Sequence, residues 1–323
     1  MLDKAGAYAI TLPDWKGELP DGVTRIDVPT ATVWAIVRTV LSGNDDLPNV
    51  YAIQEQMQLL PLSAYVQGGS YTAPEGIYDE ANEFVPIDKV LSMSPEDFFN
   101  TANALMQSNP PADADEELLK KFSAINVGSG MTFDASVLGE DAAERWTQML
   151  KELRTTLSMN GSKYAQQLGQ WTYYGEPIGD FGAEYDYRAM VALVGLGANT
   201  LDVAIYSKTA VDENGEALTG DKTYTLHFES LPPTLEKGFW SVTAYGSDDF
   251  LIDNPIDRYC INDRSDFKLN EDGTLDIVLS KEAPEDDSNW LPVSDGEFHL
   301  FMRIYVPDRT AMDSWKPPVI SEQ

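Results

Sequence analysis

Apolar residues recur at two different spacings in this chain, and the change falls near Ser162. Before it they return every three or four positions, the mark of amphipathic helices; after it they alternate in short runs separated by Gly, Asn and Asp, the mark of strands joined by tight turns. That change divides the chain into residues 1–161, short strands and then mostly helix, and residues 162–323, an antiparallel β domain. The fold class expected is therefore α+β, a helical N-terminal half packed on a C-terminal antiparallel β-sandwich.

The first half opens on two candidate strands, around Tyr8, Ile10 and Leu12 and over Thr24 to Val28. From Thr30 the period becomes helical, with Val33, Val37, Val40 and Leu41 on one stripe and Ser42-Gly43 as a stop, which predicts a helix over 30–42. A second helix is predicted from Asp46, with Pro48 in its first turn and Val50, Ile53 and Met57 inward, ended by Pro61. Residues 63–85 read as a surface loop. Ser94-Pro95-Glu96-Asp97 combines a cap, a first-turn proline and acids at the positive end of the helix dipole, with Phe98, Ala102, Leu105 and Met106 as the buried face. A short acidic helix over 113–122 and a long one over 139–159 complete this half, Asn160-Gly161 closing the latter.

In the second half, strands are predicted over 201–207, 222–228, 238–245, 258–261, 275–280 and 298–306, and a helix over 185–196.

Charge narrows the function. The 53 acidic and 22 basic residues leave a net charge of −31, which opposes nucleic acid, because neutralising phosphates requires clustered Lys and Arg. No apolar run is long enough to span a bilayer, so no membrane span is expected. The single Cys260 rules out an internal disulfide and a cysteine-rich zinc site. The sequence contains no G-x-S-x-G, H-E-x-x-H, P-loop or G-x-G-x-x-G motif, so common serine-hydrolase, zinc-protease and nucleotide routes have no local support. Acidic oxygens are abundant, which leaves calcium or magnesium as the cofactor chemistry compatible with this composition.

A dense series of aromatic, proline and arginine motifs fills residues 239–318. It comprises F-W-S-V-T-A-Y-G at 239–246, D-N-P-I-D-R-Y at 253–259, N-E-D-G-T-L-D-I at 270–277, N-W-L-P at 289–292, R-I-Y-V-P at 303–307 and W-K-P-P at 315–318. This series resembles the domain of unknown function family 1214, and the run from Gly6 to Leu62 resembles the later part of its usual partner, family 1254. The resemblance implies a jelly-roll-like sandwich and a further β-rich segment ahead of Gly6 that these residues do not include. A periplasmic or extracellular location is compatible with such a segment. It implies no reaction and no catalytic residues.

Site candidates therefore come from local chemistry. Ser241, Thr243 and Tyr245 alternate away from Trp240, Val242 and Ala244, and His299, Arg303 and Tyr305 alternate away from Met302 and Ile304. If both strands line one face, Arg303 and Arg258 hold an anionic group in bidentate fashion, beside Ser241, Tyr305 and a stacking ring from Trp240. Pairing of the two arginines with Asp253 or Asp257 is the structural alternative. His299 or Tyr245 would move a proton, and Asp253 and Asp257 would hold a divalent cation or activate water. His227 is expected at the sheet surface. The function expected is a hydrolase acting on a small anionic or carbohydrate-related substrate; the alternative is a noncatalytic, envelope-associated protein that binds glycans or another protein. A protomer of a homo-oligomeric assembly is a third reading.

Overall fold

A computed structural model describes residues 5–68 and 70–323, which divide into two compact units, Met1–Arg154 and Thr155–Gln323. The first begins with β1 (Ala7–Thr11) and β2 (Val23–Asp27), paired in parallel from Ala7 opposite Val23 to Thr11 opposite Asp27. The side that is buried carries Ala9 and Thr11, while Ile10 and Leu12 are exposed. Thr11 Oγ1 donates to Asp27 Oδ1 at 3.0 Å, and Arg25 donates to the carbonyls of Leu12 and Pro13, so polar bonds hold this pair together.

The helix expected over 30–42 does not form; residues 33–42 have no regular secondary structure, and Trp34 and Val37 are about 70% exposed. The stretch holds Thr30, Thr32, Val33, Ile36, Val37, Thr39 and Val40, whose branched Cβ atoms lose rotamer freedom in a helix. A helical period without a surface to bury the stripe is insufficient. Helix α1 (Leu47–Gln54) does start after Asp46 with Pro48 in its first turn, but it stops short of Pro61 and leaves Ile53 and Met57 exposed. Helix α2 (Leu62–Val66) occupies the start of the stretch read as loop, and α3 (Pro86–Ser92) follows.

Helix α4 (Pro95–Ser108) is capped as its sequence indicates: Ser94 Oγ accepts from the Asp97 amide at 3.1 Å and donates to the Asp97 carboxylate at 2.7 Å. Its inward residue is Asn103, not the exposed Leu105. Asn103 donates to the carbonyls of Asn126 and Met131 and accepts from the Gly128 amide at 2.7 Å, which straps residues 126–131 onto the helix. Phe133 is fully buried against Phe99, which also meets Trp146 edge-on. Helices α5 (Glu116–Phe122) and α6 (Glu140–Gly161) lie where the sequence places them.

The second unit takes in the end of α6, then β3 (Ala165–Leu168), β4 (Trp171–Tyr174) and α7 (Tyr185–Val194). There follow β5 (Ala204–Thr209), β6 (Tyr224–Phe228), β7 (Thr234–Gly246), β8 (Cys260–Asn262), β9 (Leu275–Ser280) and β10 (Trp290–Pro292). Strand β11 (Phe298–Pro307), helix α8 (Arg309–Met312) and β12 (Val319–Glu322) end the chain. Two sheets result, one of six strands in the order β3-β4-β5-β11-β7-β8 and one of four in the order β10-β9-β6-β12. Every pairing is antiparallel except β10 on β9. The jelly-roll form that the resemblance implies is not confirmed by this strand order.

The sheets meet through apolar residues at alternate positions. Leu300, Met302 and Ile304 of β11 are fully buried, as are Leu226 and Phe228 of β6 and Ile277 and Leu279 of β9. Phe228 meets Trp240 at 5.5 Å and Tyr224 meets Phe298 at 6.1 Å, both contacts from one sheet to the other. Each fully buried Leu, Ile or Phe contributes about 1.5–3 kcal/mol by leaving water. Trp171 donates its indole N–H to the Pro318 carbonyl and Trp290 to that of Ser280, so these rings are buried without losing a hydrogen bond. Among the described residues, no helix is long and apolar enough to cross a membrane.

Candidate functional site

Because side chains alternate across a strand, the residues between the core positions of β11 all emerge on the other face of the six-stranded sheet: His299, Phe301, Arg303 and Tyr305. The register sets their neighbours. Phe301 lies between Lys208 of β5 and Thr243 of β7, which in turn pairs with Cys260; Arg303 lies between Tyr206 and Ser241, which pairs with Asn262. His299 is opposite Tyr245, and Tyr305 opposite Phe239. At the β4 end this face meets α7, whose buried Tyr187 touches Tyr174. The strip from β5 to β8 forms the candidate site.

Arg303 is half-buried at its centre. It donates to Thr243 Oγ1 at 3.3 Å and to the Tyr245 hydroxyl at 3.0 Å, and its guanidinium lies 5.1 Å from the Phe301 ring centre and 5.5 Å from that of Tyr245. Among the described residues no carboxylate forms an ion pair with it. Beside it, Tyr206 accepts from Asn199 at 2.8 Å and reaches the Tyr305 hydroxyl at 3.4 Å, while Tyr305 stacks on Phe239 at 4.4 Å.

His299 is 5% exposed, stacked on Tyr245 and edge-on to Phe301. Its Nε2 is 3.3 Å from Asp249 Oδ1 but off the direction of a hydrogen bond, so that buried nitrogen has none. Burial lowers the imidazole pKa below its ordinary value, and the Lys208 ammonium pushes the same way against the weaker pull of Asp249. The ring is consequently neutral at neutral pH. Lys208 reaches the same Asp249 carboxylate at 3.3 Å. Asp249 sits at a φ of 63°, in the turn that leaves β7.

The structure thus brings His299, Tyr245, Arg303, Ser241 and Tyr305 onto one face. It places Trp240 elsewhere: the ring points into the core between the sheets, 3% exposed and packed on Phe228 and Phe267, and so offers no stacking surface to a ligand. Arg258 does not join Arg303. Its Nη1 donates to the carbonyls of Asp287, Ser288 and Trp290, at 2.7, 3.4 and 2.9 Å, which fastens the segment entering β10. Asp253 and Asp257 are exposed in the 251–259 loop, and Asp257 accepts from the Tyr259 hydroxyl. Among the described residues, no group of three or more His, Cys, Asp or Glu side chains is placed to hold a metal ion, and these two aspartates do not build one. His227 lies at the surface of β6, its Nδ1 2.6 Å from Asp276.

Lys208, Asp249 and Tyr206 belong to the site but carried no signal in the sequence, whereas the alternation that groups His299, Arg303 and Tyr305 also includes Phe301. Lys208 and Tyr206 sit on β5, nearly a hundred residues before β11, and only the pairing register reveals their proximity.

Comparison with known families matches residues 2–61 to Protein of unknown function (DUF1254) and residues 203–309 to Protein of unknown function (DUF1214). The crystal structure of the VPA0106 protein from Vibrio parahaemolyticus is similar over 99% of this chain and 76% of that one, at 23% identity and a TM-score of 0.68, a likeness of fold. An uncharacterized protein from Burkholderia cenocepacia gives a TM-score of 0.30 over 57% of this chain and 42% of that one, at 14% identity. Comparison with curated proteins finds no match.

Proposed function

Since this chain carries the DUF1254 and DUF1214 regions together and neither description brings a reaction with it, we propose from the site's geometry that the outer face of the six-stranded sheet binds a small solute bearing a carboxylate or phosphate, anchored by Arg303. The observation that carries this reading is a half-buried guanidinium held by two neutral hydroxyls and two rings in a chain with 53 acidic residues, none of which pairs with it among those described. A partly desolvated cation without a counter-ion is costly, and an anionic ligand supplies the missing partner through the paired N–H groups of the fork. Thr243 and Tyr245 then act as orienting groups, fixing the guanidinium before the ligand arrives.

A second reading, hydrolysis of the bound solute, draws on His299. Its neutral imidazole beside Tyr245 and Asp249 is the protonation state a general base requires. Its burial leaves little room for water at that nitrogen, so binding is favoured over turnover.

Titration of the protein with hexanoate and with inorganic phosphate tests the binding reading. Arg303→Met should weaken whichever anion binds by about 10-fold or more, the worth of a charge-assisted bond. The sole thiol, Cys260, lies opposite Thr243, so its alkylation by iodoacetamide should slow in the presence of the anion. Equal affinity in wild type and a folded Arg303→Met protein would remove the basis for the proposal.

A further inference from the structure

A second guanidinium stands over the same face. Arg264 follows β8, and its guanidinium carbon lies 5.1 Å from the Phe239 ring centre, on the ring that stacks against Tyr305. Its backbone is fixed there by a turn: the Arg264 amide donates to Asn262 Oδ1 at 2.8 Å, and the Asn262 amide donates to Ser265 Oγ at 3.0 Å. Among the described residues one carboxylate forms an ion pair with Arg264, that of Asp263, whose oxygen lies 3.6 Å away, too long for a hydrogen bond. Burial raises the pKa of that carboxyl, with Arg264 pulling the other way, and the Arg264 side chain remains 41% exposed beside it.

The two arginines mark the ends of a strip along β7. Arg303 is tied to Thr243 and Tyr245, and Arg264 overlies Phe239, so their anchor points are at least four residues of extended strand apart, about 13 Å. Between them on that face β7 presents only Ser241, flanked by Asn262 of β8 and the stem of Arg303. Ser241 is a small side chain between Phe239 and Thr243, beside the stacked Phe239–Tyr305 pair. Charge at both ends with a short hydroxyl and ring edges between suits a ligand that is charged at both ends and plain in the middle.

Resting on the reading of Arg303 as an anion anchor, we propose that the ligand is an extended dianion, one carboxylate-type end on Arg303, the other on Arg264, and an aliphatic middle lying over Ser241. The two anionic ends would be on the order of 10 Å apart, since each carboxylate sits inside the span of the two forks.

Paired ligands that differ only by the far carboxylate test this. Calorimetric titration of the full chain with decanoate against sebacate, and with hexanoate against adipate, isolates the second charge. Sebacate should bind about 10-fold or more tighter than decanoate, with adipate gaining less because it is too short to reach both forks. Arg264→Met should bring the sebacate-to-decanoate ratio close to one, and Arg303→Met should weaken both members of each pair. Sebacate no better than decanoate, with both still lost in Arg303→Met, would overturn the dianion and leave Arg303 standing as an anchor. Absence of binding by all four acids, or indifference to a folded Arg303→Met, would overturn both readings. Should that variant fail to fold, Tyr245→Phe, which removes one of the hydroxyls that orient Arg303, replaces it and should weaken all four acids in the same sense.

Discussion

Arg258 and Arg303 have the same side chain and opposite surroundings. Arg258 spends its donors on three backbone carbonyls, Arg303 on two hydroxyls and the faces of two rings. His299, on the same face as Arg303, gives the residue-scale prediction. Burial holds its pKa below the ordinary 6.5, whereas the unfolded chain takes up the proton near that value. The unfolded state therefore binds more protons as pH falls below about 6.5, and stability falls with it; above that pH both states are neutral and the contribution is constant. His299→Gln removes the titrating group, so between pH 7.5 and 5.5 the wild type should lose more stability than the variant. Urea midpoints at the two pH values measure it, and parallel losses would show that the folded ring protonates as easily as a free one. The alternation of β7 and β11 made the faces of Arg303, Tyr305, Ser241, Tyr245 and His299 legible in the sequence, and the same parity consigns Trp240 to the core. The end point of Arg258 was not legible, because its partners are main-chain carbonyls of a segment nearly thirty residues away that no side-chain pattern encodes.

At the scale of elements, legibility followed length. Strands β5, β6, β7, β9 and β11 contain at least two full periods of alternation and lie where the sequence places them, within a few residues at each end. Strands β3, β4, β10 and β12 are three or four residues long and exist because a neighbour offers an edge to pair with, information held elsewhere in the chain. The failed helix over 30–42 is the converse case, a long local pattern with nothing to pack on. Strand β11 ranks above the others structurally, because it is bonded along both sides, to β5 and to β7, and supplies core residues on one face and site residues on the other. Ile304 is fully buried there. Ile304→Ala should cost about 2–5 kcal/mol through lost transfer energy and the cavity left behind. Chemical denaturation of the second unit, followed by tryptophan fluorescence, checks this; a loss under 1 kcal/mol would mean the sheets close over the gap and the core is looser than its burial indicates.

For the molecule as a whole, the two units differ in how much apolar surface they remove from water. In Met1–Arg154 the buried apolar residues among those described are Ala9, Val50, Val127, Phe133 and Leu150, whereas the second unit buries both inner faces of its sheets. Conformational entropy opposes folding in proportion to chain length in both, so the first unit has the thinner margin. Its backbone is also the less protected, since residues 33–42 and 70–79 carry no helix or sheet bonds and display Trp34, Tyr71 and Tyr78 to solvent. A net charge of −31 adds self-repulsion, which salt screens as the Debye length falls from about 30 Å near 10 mM to about 8 Å near 150 mM. Chymotrypsin should therefore cut first at Trp34, Tyr71 and Tyr78, leave a resistant fragment containing the two sheets, and cut more slowly at the higher salt. Mass spectrometry of the early fragments reads the order directly. First cleavage within β5 to β11, despite the ladder bonds and buried faces there, would mean that local protection and core size do not set the order in which this chain opens.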